Sequence, residues 1–148
     1  MKKLSETYKE LGIAFEFPIE IKDADGNVTY YEGSDGRWWK REYDAKGRAN
    51  YAENSDGYWC KSEYDDNGYE TYYENSDDYW CKRKYDAKGN RTYYETSVYR
   101  EKREYDANGN ETYHEDSNGA KRGTPKSAKT CEGKVVEVDG IKYKLTAL

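Results

Sequence analysis

The chain has 148 residues, of which 37% are charged and 16% aromatic, and its formal net charge is −5. This length fits one domain and excludes a second sizeable core. The 25 basic and 30 acidic residues are interleaved, so no continuous basic surface is expected and direct nucleic-acid binding is disfavoured. No apolar run approaches the ~20 residues that a membrane-spanning helix needs, so we expect no membrane partner.

Residues 1–22 are predicted to form an N-terminal helix followed by a capping strand. Ser5 is expected to be the N-cap of the helix, and Gly12 is expected to end it. Apolar and polar residues then alternate from Ile13 to Ile21, which is the period of a β-strand with one apolar face. Pro18 cannot donate a hydrogen bond to a sheet, so this strand is predicted to lie at an edge.

Residues 23–119 contain a tandem repeat anchored by a recurrent Tyr-Asp pair. The pair begins at residues 43, 64, 85 and 105, so the steps are 21, 21 and 20 residues. Each unit carries two turn signals, Ser-Asp-Gly and Asp-x-x-Gly, which alternate with runs of Tyr, Thr and Trp that suit strands. One β-hairpin per unit is therefore predicted. The fourth unit lacks a residue, a Gly and the Trp between Thr96 and Glu101, so a bend or bulge is expected there.

Residues 120–133 are predicted to be a polar linker, and residues 134–148 a C-terminal hairpin cap with its turn at Asp139-Gly140. The apolar side of this hairpin is expected to pack on the strand from Ile13 to Ile21 or on the last repeat. The whole chain is thus predicted to be all-β: an elongated, largely single-layer antiparallel meander of hairpin repeats with a short N-terminal helix. Its middle has Val98 as the only Val, Ile or Leu, so aromatic side chains must hold the sheet together.

Several phrases of the repeat resemble known families. Tyr85-Asp86-Ala87-Lys88-Gly89-Asn90 is similar to the YD repeats of Rhs-type bacterial proteins, and the similarity extends over about two thirds of the chain. Tyr30-Tyr31-Glu32-Gly33 resembles MORN repeats, and Asn75-Ser76-Asp77 resembles the aromatic repeats of cell-wall choline or glucan binders. The small size and the Lys-rich ending also look similar to small accessory proteins of bacteriophages. These resemblances imply hairpin repeats and indicate the architecture better than the ligand.

The sequence does not predict an enzyme, a metal site or a cofactor. His114 is the only histidine and occupies a column otherwise held by Tyr or Ala, and Cys131 has no histidine near it in sequence. The segment from Asp23 to Asn27 offers clustered oxygens for calcium, but Lys46 replaces an aspartate in the next unit, which favours a turn.

The three cysteines are expected to be reduced, as in a cytoplasmic protein of a bacterial or phage-infected cell. Cys60 and Cys81 occupy equivalent positions two strands apart in a meander, at about 9.5 Å, which is too far for a disulfide.

The remaining class of function is the binding of a partner through the protein surface. Exposed Tyr, Trp and Arg dominate the energetics of protein interfaces. The candidate binding residues are Trp38, Trp39, Trp59, Trp80, Tyr58, Tyr79, Arg41 and Arg83. We expect a non-enzymatic protein-binding repeat protein, with a phage-type inhibitor that occludes a host defence or nuclease complex as its specific form. The alternative is a carbohydrate or cell-wall binding module whose tryptophans stack on sugars.

Overall fold

The computed structural model describes residues 3–126 and 135–144, which form one short helix, an open 11-stranded antiparallel sheet and a separate two-stranded hairpin. The elements are α1 Leu4–Lys9, β1 Ile19–Lys22, β2 Val28–Glu32, β3 Trp38–Tyr43, β4 Ala49–Asn54, β5 Trp59–Tyr64, β6 Glu70–Asn75, β7 Trp80–Tyr85, β8 Arg91–Thr96, β9 Arg100–Tyr105, β10 Glu111–Asp116, β11 Lys121–Gly123, β12 Val135–Val138 and β13 Ile141–Lys144. Strands β1 to β11 pair in chain order. The predicted all-β hairpin meander is therefore confirmed.

Both kinds of turn in a repeat have the same construction. After β3, Asp44 N–H bonds the carbonyl of Arg48 at 2.9 Å and Gly47 N–H bonds the carbonyl of Asp44 at 2.9 Å. After β4, Asn54 takes the place of the aspartate and Gly57 that of the glycine, with the same two bonds. Gly57 has φ of +85°, which favours glycine. The Ser-Asp-Gly signal thus omits the first residue of its turn, Asn54, whose side-chain oxygen accepts a backbone N–H inside the loop.

The anchor tyrosine of the repeat ties neighbouring strands together. The hydroxyl of Tyr43 donates to the carbonyl of Val28 at 3.0 Å, and that of Tyr64 donates to the carbonyl of Ala49 at 3.0 Å. The pairing of β3 with β4 shifts register beside Tyr43, as does that of β5 with β6 beside Tyr64. The hydroxyls of Tyr43 and Tyr64 therefore tie their strands to the preceding strand, beside the position where the ladder to the following strand is irregular.

The N-terminal segment differs from its prediction in two respects. The N-cap position is Lys3 rather than Ser5, and no side chain of the helix caps it. Instead the first N–H groups of α1 donate to the sheet, from Leu4 to the hydroxyl of Tyr30 and from Ser5 to the carboxylate of Glu32, both at 3.1 Å. The helix is thus capped by the first repeat.

Only residues 19–22 of the predicted strand join the sheet, as the edge strand β1. Its partner β2 starts at Val28 and ends at Glu32, which pairs with Ile19, so residues before Ile19 have no ladder to extend. One of those earlier residues, Phe15, packs instead on a small buried cluster of Ile19, Tyr30 and Trp38. Leu4 of α1 packs on the same cluster.

The C-terminal part contains one strand more than predicted. Strand β11 pairs with β10 inside the segment that was predicted to be linker. The predicted hairpin forms as β12 and β13, but Val135 and Ile141 are 61% and 58% exposed. Its role as a cap stays a prediction, which the exposure of these side chains does not favour. Cys131 and the rest of the linker from residue 127 lie outside the described residues.

The shortened fourth unit closes without the expected bulge. Thr96 N–H bonds the carbonyl of Tyr99 at 2.8 Å, so only two residues, Ser97 and Val98, form the loop. The pairing of β8 with β9 then proceeds without a register shift. Of the predicted bend or bulge, the bulge is wrong, because losing one residue converts the longer turn into a two-residue loop that suits a hairpin equally well. The bend stays a prediction.

Candidate binding surface

The eight candidate residues do not form one surface, because alternation along the strands divides them between the two faces of the sheet. The tryptophan face carries Trp38, Trp59 and Trp80. The tyrosine face, on the other side, carries Trp39, Arg41, Tyr58, Tyr79 and Arg83. The strand register supports this division, since Trp59 pairs with Glu53, which pairs with Lys40, whereas Arg41 pairs with Ala52.

The tryptophan face is bonded within itself. Each repeat places a Tyr-x-Glu pair there in which the tyrosine hydroxyl donates to the carboxylate two residues later, as Tyr72 does to Glu74 at 2.9 Å. This hydrogen bond raises the pKa of Tyr72. The Nζ atom of Lys82 lies over the ring of Trp80, 5.2 Å from its centroid. Trp38 is only 8% exposed, because it lies in the cluster on which Leu4 of α1 packs. The tryptophans are therefore partly or fully covered by neighbouring side chains.

The tyrosine face carries aromatic pairs with exposed members. The hydroxyls of Tyr58 and Tyr73 are 2.8 Å apart, and the equivalent Tyr79 and Tyr94 are 2.9 Å apart. The hydrogen bond with Tyr58, together with burial, raises the pKa of Tyr73 to about 12. Tyr58 and Tyr79 remain 39% and 42% exposed. Such half-exposed phenols provide apolar area and a polar atom at the same place.

Rings also contact each other along the tyrosine face. The centroids of Tyr73 and Tyr79 lie 6.1 Å apart, and those of Tyr94 and Tyr99 lie 6.2 Å apart. The second repeat breaks this row, because Ala52 stands where the first, third and fourth repeats have Tyr31, Tyr73 and Tyr94. An open hollow of about 350 Å³ results. Its lining includes Tyr31, Arg37, Trp39, Arg41, Ala52 and Tyr58.

The two candidate arginines have different surroundings. Arg41 is exposed and places its guanidinium 4.4 Å from the ring of Trp39, at the rim of the hollow. Arg83 is half-buried and bonds the carboxylate of Glu70. Arg41 is therefore available to a partner, whereas Arg83 serves the sheet.

A buried ionic cluster at the fourth repeat was not found from the sequence. Glu101, 4% exposed, accepts hydrogen bonds from Arg91 at 2.6 Å and from Arg103 at 3.0 Å. His114 approaches the same carboxylate at 3.6 Å and is 5% exposed. The available signal was a glutamate in the column that holds Cys60 and Cys81. The substituted tyrosine column thus places the single histidine inside an ion network.

The cysteine column itself agrees with the meander. Cys60 and Cys81 are both free, with strand β6 between them, and Cys81 has no exposed surface. Tyr73 lies directly opposite Cys81.

The segment from Asp23 to Asn27 forms a turn, as its sequence favours, and the carboxylate of Asp23 is used by that turn. Asp23 accepts backbone N–H groups from Asp25 at 3.0 Å and from Asn27 at 2.9 Å, and the side-chain amide of Asn27 bonds its second oxygen. These bonds, the Asn27 side chain first, lower the pKa of Asp23. Within residues 3–126 and 135–144, no group of three or more His, Cys, Asp or Glu is placed to hold a metal ion. No helix in that part of the chain is long and apolar enough to cross a membrane.

Comparison with solved structures identifies the fold. The chain is similar to a chain in the Photorhabdus luminescens Tc holotoxin pore, with 17% identity and a TM-score of 0.50 over 67% of this chain. It is also similar to a chain of a TcdB2–TccC3 structure, with 17% identity and a TM-score of 0.51 over 79% of this chain. The fold is shared. It is consistent with the YD-repeat resemblance of the sequence.

These neighbours are far larger than the chain. The matches span only 5% and 6% of the Tc toxin chains. No protein-family model and no curated protein matches the sequence. The shared feature is thus a hairpin-repeat sheet, and the chain is a repeat protein of that architecture.

Proposed function

We propose that the chain is a non-enzymatic protein-binding module that engages another protein through its tyrosine face. The observation that carries the proposal is the difference between the faces. Tyr58 and Arg41 are exposed at the rim of a hollow and Tyr79 is exposed farther along the same face, while the tryptophans opposite are partly or fully covered by neighbouring side chains. Exposed tyrosine and arginine around a concave site are typical of interface hot spots.

The specific form of this proposal is an inhibitor of the kind that bacteriophages carry, which occludes a host defence or nuclease complex. An open sheet is suited to occlusion, because it presents a broad, rigid face without needing a catalytic pocket. A cytoplasmic location belongs to the same proposal, since the free thiols of Cys60 and Cys81 suit a reducing compartment. No nucleophile with a histidine base is found among the described residues, where His114 instead contacts Glu101.

Carbohydrate binding is the second candidate function. It is supported by the tryptophan column, in which Trp38, Trp59 and Trp80 recur on one face at two-strand intervals. The geometry is less favourable to it, because Trp38 is buried and Lys82 already lies over Trp80. A sugar would have to displace the lysine to reach that ring.

A pull-down from bacterial lysate, run beside a glycan array, tests both candidates. A tyrosine-face variant, Arg41→Glu with Tyr79→Ala, is matched with a tryptophan-face variant, Lys61→Ala with Lys82→Ala. Protein capture that is lost only in the tyrosine-face variant is the expected result. Glycan binding that is lost on replacing Trp59 and Trp80 by Ala, with no captured protein, would support the carbohydrate candidate instead. Circular dichroism verifies that each variant keeps the sheet.

A further inference from the structure

The hollow of about 350 Å³ above Ala52 lies where neighbouring repeats carry a tyrosine side chain. In the later repeats, the equivalent position is filled by Tyr73 and Tyr94, and each of these rings contacts the tyrosine at the end of the following turn. In the second repeat that following tyrosine is present as Tyr58, but Ala52 has no ring that could contact it. The row of aromatic side chains therefore lacks a ring at Ala52, and the neighbouring repeats show that the ring at this position would be a tyrosine.

The groups that would receive a phenol are all in place. Tyr73 and Tyr94 each pair their hydroxyl with a tyrosine 15 residues earlier, and Arg37 occupies that position relative to Ala52. Arg37 is an exposed donor whose contact with Asp35 is long, at 3.8 Å. A phenol oxygen can accept from a guanidinium as well as from another hydroxyl.

A second arginine, Arg41, lies beside the hollow. Arg83 stands 5.9 Å from the ring of Tyr94, directly across the strand pair. Arg41 is its equivalent and lies directly opposite Ala52. Without a tyrosine beside it, Arg41 rests over Trp39 and is exposed to solvent. An aromatic ring placed over Ala52 would thus gain a cationic neighbour as well as Tyr58.

We infer that the hollow above Ala52 is a subsite for a tyrosine side chain supplied by the partner protein. The inference rests on the proposed protein-binding function and deepens it. Tyrosine is the occupant rather than an aliphatic residue, because the subsite joins the aromatic side chains of Trp39 and Tyr58 to Arg37, which stands where the later repeats place the partner of the tyrosine hydroxyl.

The test titrates the full chain with N-acetyltyrosinamide and follows the indole signal of Trp39 by NMR. We expect saturable binding that falls at least tenfold in Ala52→Tyr, which fills the subsite from within. N-acetylphenylalaninamide should bind several-fold more weakly, and Arg37→Ala should abolish that difference. Tyr73→Ala is the matched control, because it should open a second, equivalent subsite beside Tyr79 and change the stoichiometry from one to two.

The outcomes separate this inference from the proposed function. Binding that is unsaturable, or unchanged in Ala52→Tyr, overturns the subsite even if the pull-down captures a partner through Arg41 and Tyr79. Saturable binding lost in Ala52→Tyr supports the subsite, whereas an empty pull-down counts against the proposed function alone. If the wild type sediments as a dimer and Ala52→Tyr as a monomer, the tyrosine comes from a second copy, and the assignment to a different partner is overturned.

Discussion

Two carboxylates, Glu32 and Glu101, are buried in a sheet whose other side chains are mostly half-exposed. Each is less than 5% exposed and is surrounded by donors rather than left without partners. Glu32 accepts hydrogen bonds from Ser5 of the helix and from Tyr30. Glu101 accepts hydrogen bonds from Tyr99, Arg91 and Arg103. Both stand at positions that recur in every repeat. Glu32 binds the helix at one end of the array, and Glu101 binds two arginines near the other end. A buried carboxylate stays ionised only where such hydrogen bonds compensate for lost hydration.

Replacing Glu101 by Gln should destabilise the sheet by about 1–3 kcal/mol, because it leaves donors around a buried amide with imperfect partners. Arg91 and Arg103 are 38% and 32% exposed, so water recovers part of their loss. The matched control is Glu63→Gln, whose contact with Lys61 is exposed and should be worth below about 1 kcal/mol. Urea unfolding measures both. Equal effects would show that the cluster contributes nothing beyond a surface pair.

The same carboxylates predict acid sensitivity. Burial disfavours ionised Glu32, but the hydrogen bonds from Ser5 and Tyr30 prevail and lower its pKa below the ordinary 4.5, as those from Arg103 and Tyr99 lower that of Glu101. A lowered folded-state pKa contributes stability that is fully present above the unfolded-state pKa and is lost as pH falls through the folded-state value. We therefore expect the free energy of unfolding to fall as pH drops below about 4.5. Glu101→Gln should flatten this decline, and an unchanged pH profile in that variant would contradict the assignment.

At the scale of elements, the turns carry most of the local information. The Asp-x-x-Gly and Asn-Ser-Asp-Gly loops have the same backbone bonds, and their glycines sit at positive φ. The third repeat is the exception, because Asp78 takes the place of Gly57 and has φ of 59°. Aspartate tolerates this region better than most residues, yet a side chain there still costs free energy.

Replacing Asp78 by Gly should therefore stabilise the protein by about 0.5–1 kcal/mol, since glycine adopts the left-handed conformation without strain. Thermal unfolding would report a small increase in midpoint. The reciprocal variant, Gly57→Ala, should destabilise by about 1–2 kcal/mol because alanine cannot form the side-chain bonds that help aspartate. A decrease for Asp78→Gly would mean that the Asp78 carboxylate itself stabilises the loop.

The sequence predicted the hairpins because turn chemistry and strand period are local properties. It failed where an outcome depended on a distant partner. The alternation from Ile13 onward is that of a strand, but β2 is too short to pair with it. The distribution of the candidate residues over two faces followed from alternation, whereas the burial of Trp38 depended on where α1 docks. The hollow at Ala52 required knowing which rings touch across strands, which sequence spacing alone does not show.

For the whole molecule, stability is distributed unequally along the array. In the described part of the chain, five apolar or aromatic side chains are buried, and three of them, Ile19, Tyr30 and Trp38, form the cluster at the N-terminal end. The middle relies on ladder bonds, tyrosine hydroxyls and covered tryptophans. An array of this kind is stabilised by nearest-neighbour terms, so its ends decide whether the terminal strands fray.

The two ends should therefore respond differently to truncation. Removing residues 1–18 takes away Leu4 and Phe15 from the buried cluster and leaves Glu32 without its donors from the helix. Because burial of one large apolar side chain is worth roughly 1.5–3 kcal/mol, partial burial of two and the orphaned carboxylate should together cost several kcal/mol. Removing residues 134–148 deletes a hairpin whose Val135, Ile141 and Tyr143 are exposed, so unfolding should change little. Urea unfolding and sedimentation of both truncated chains measure this asymmetry. Equal destabilisation, or aggregation only after the C-terminal truncation, would show that the hairpin covers the last repeat in solution and caps the array after all.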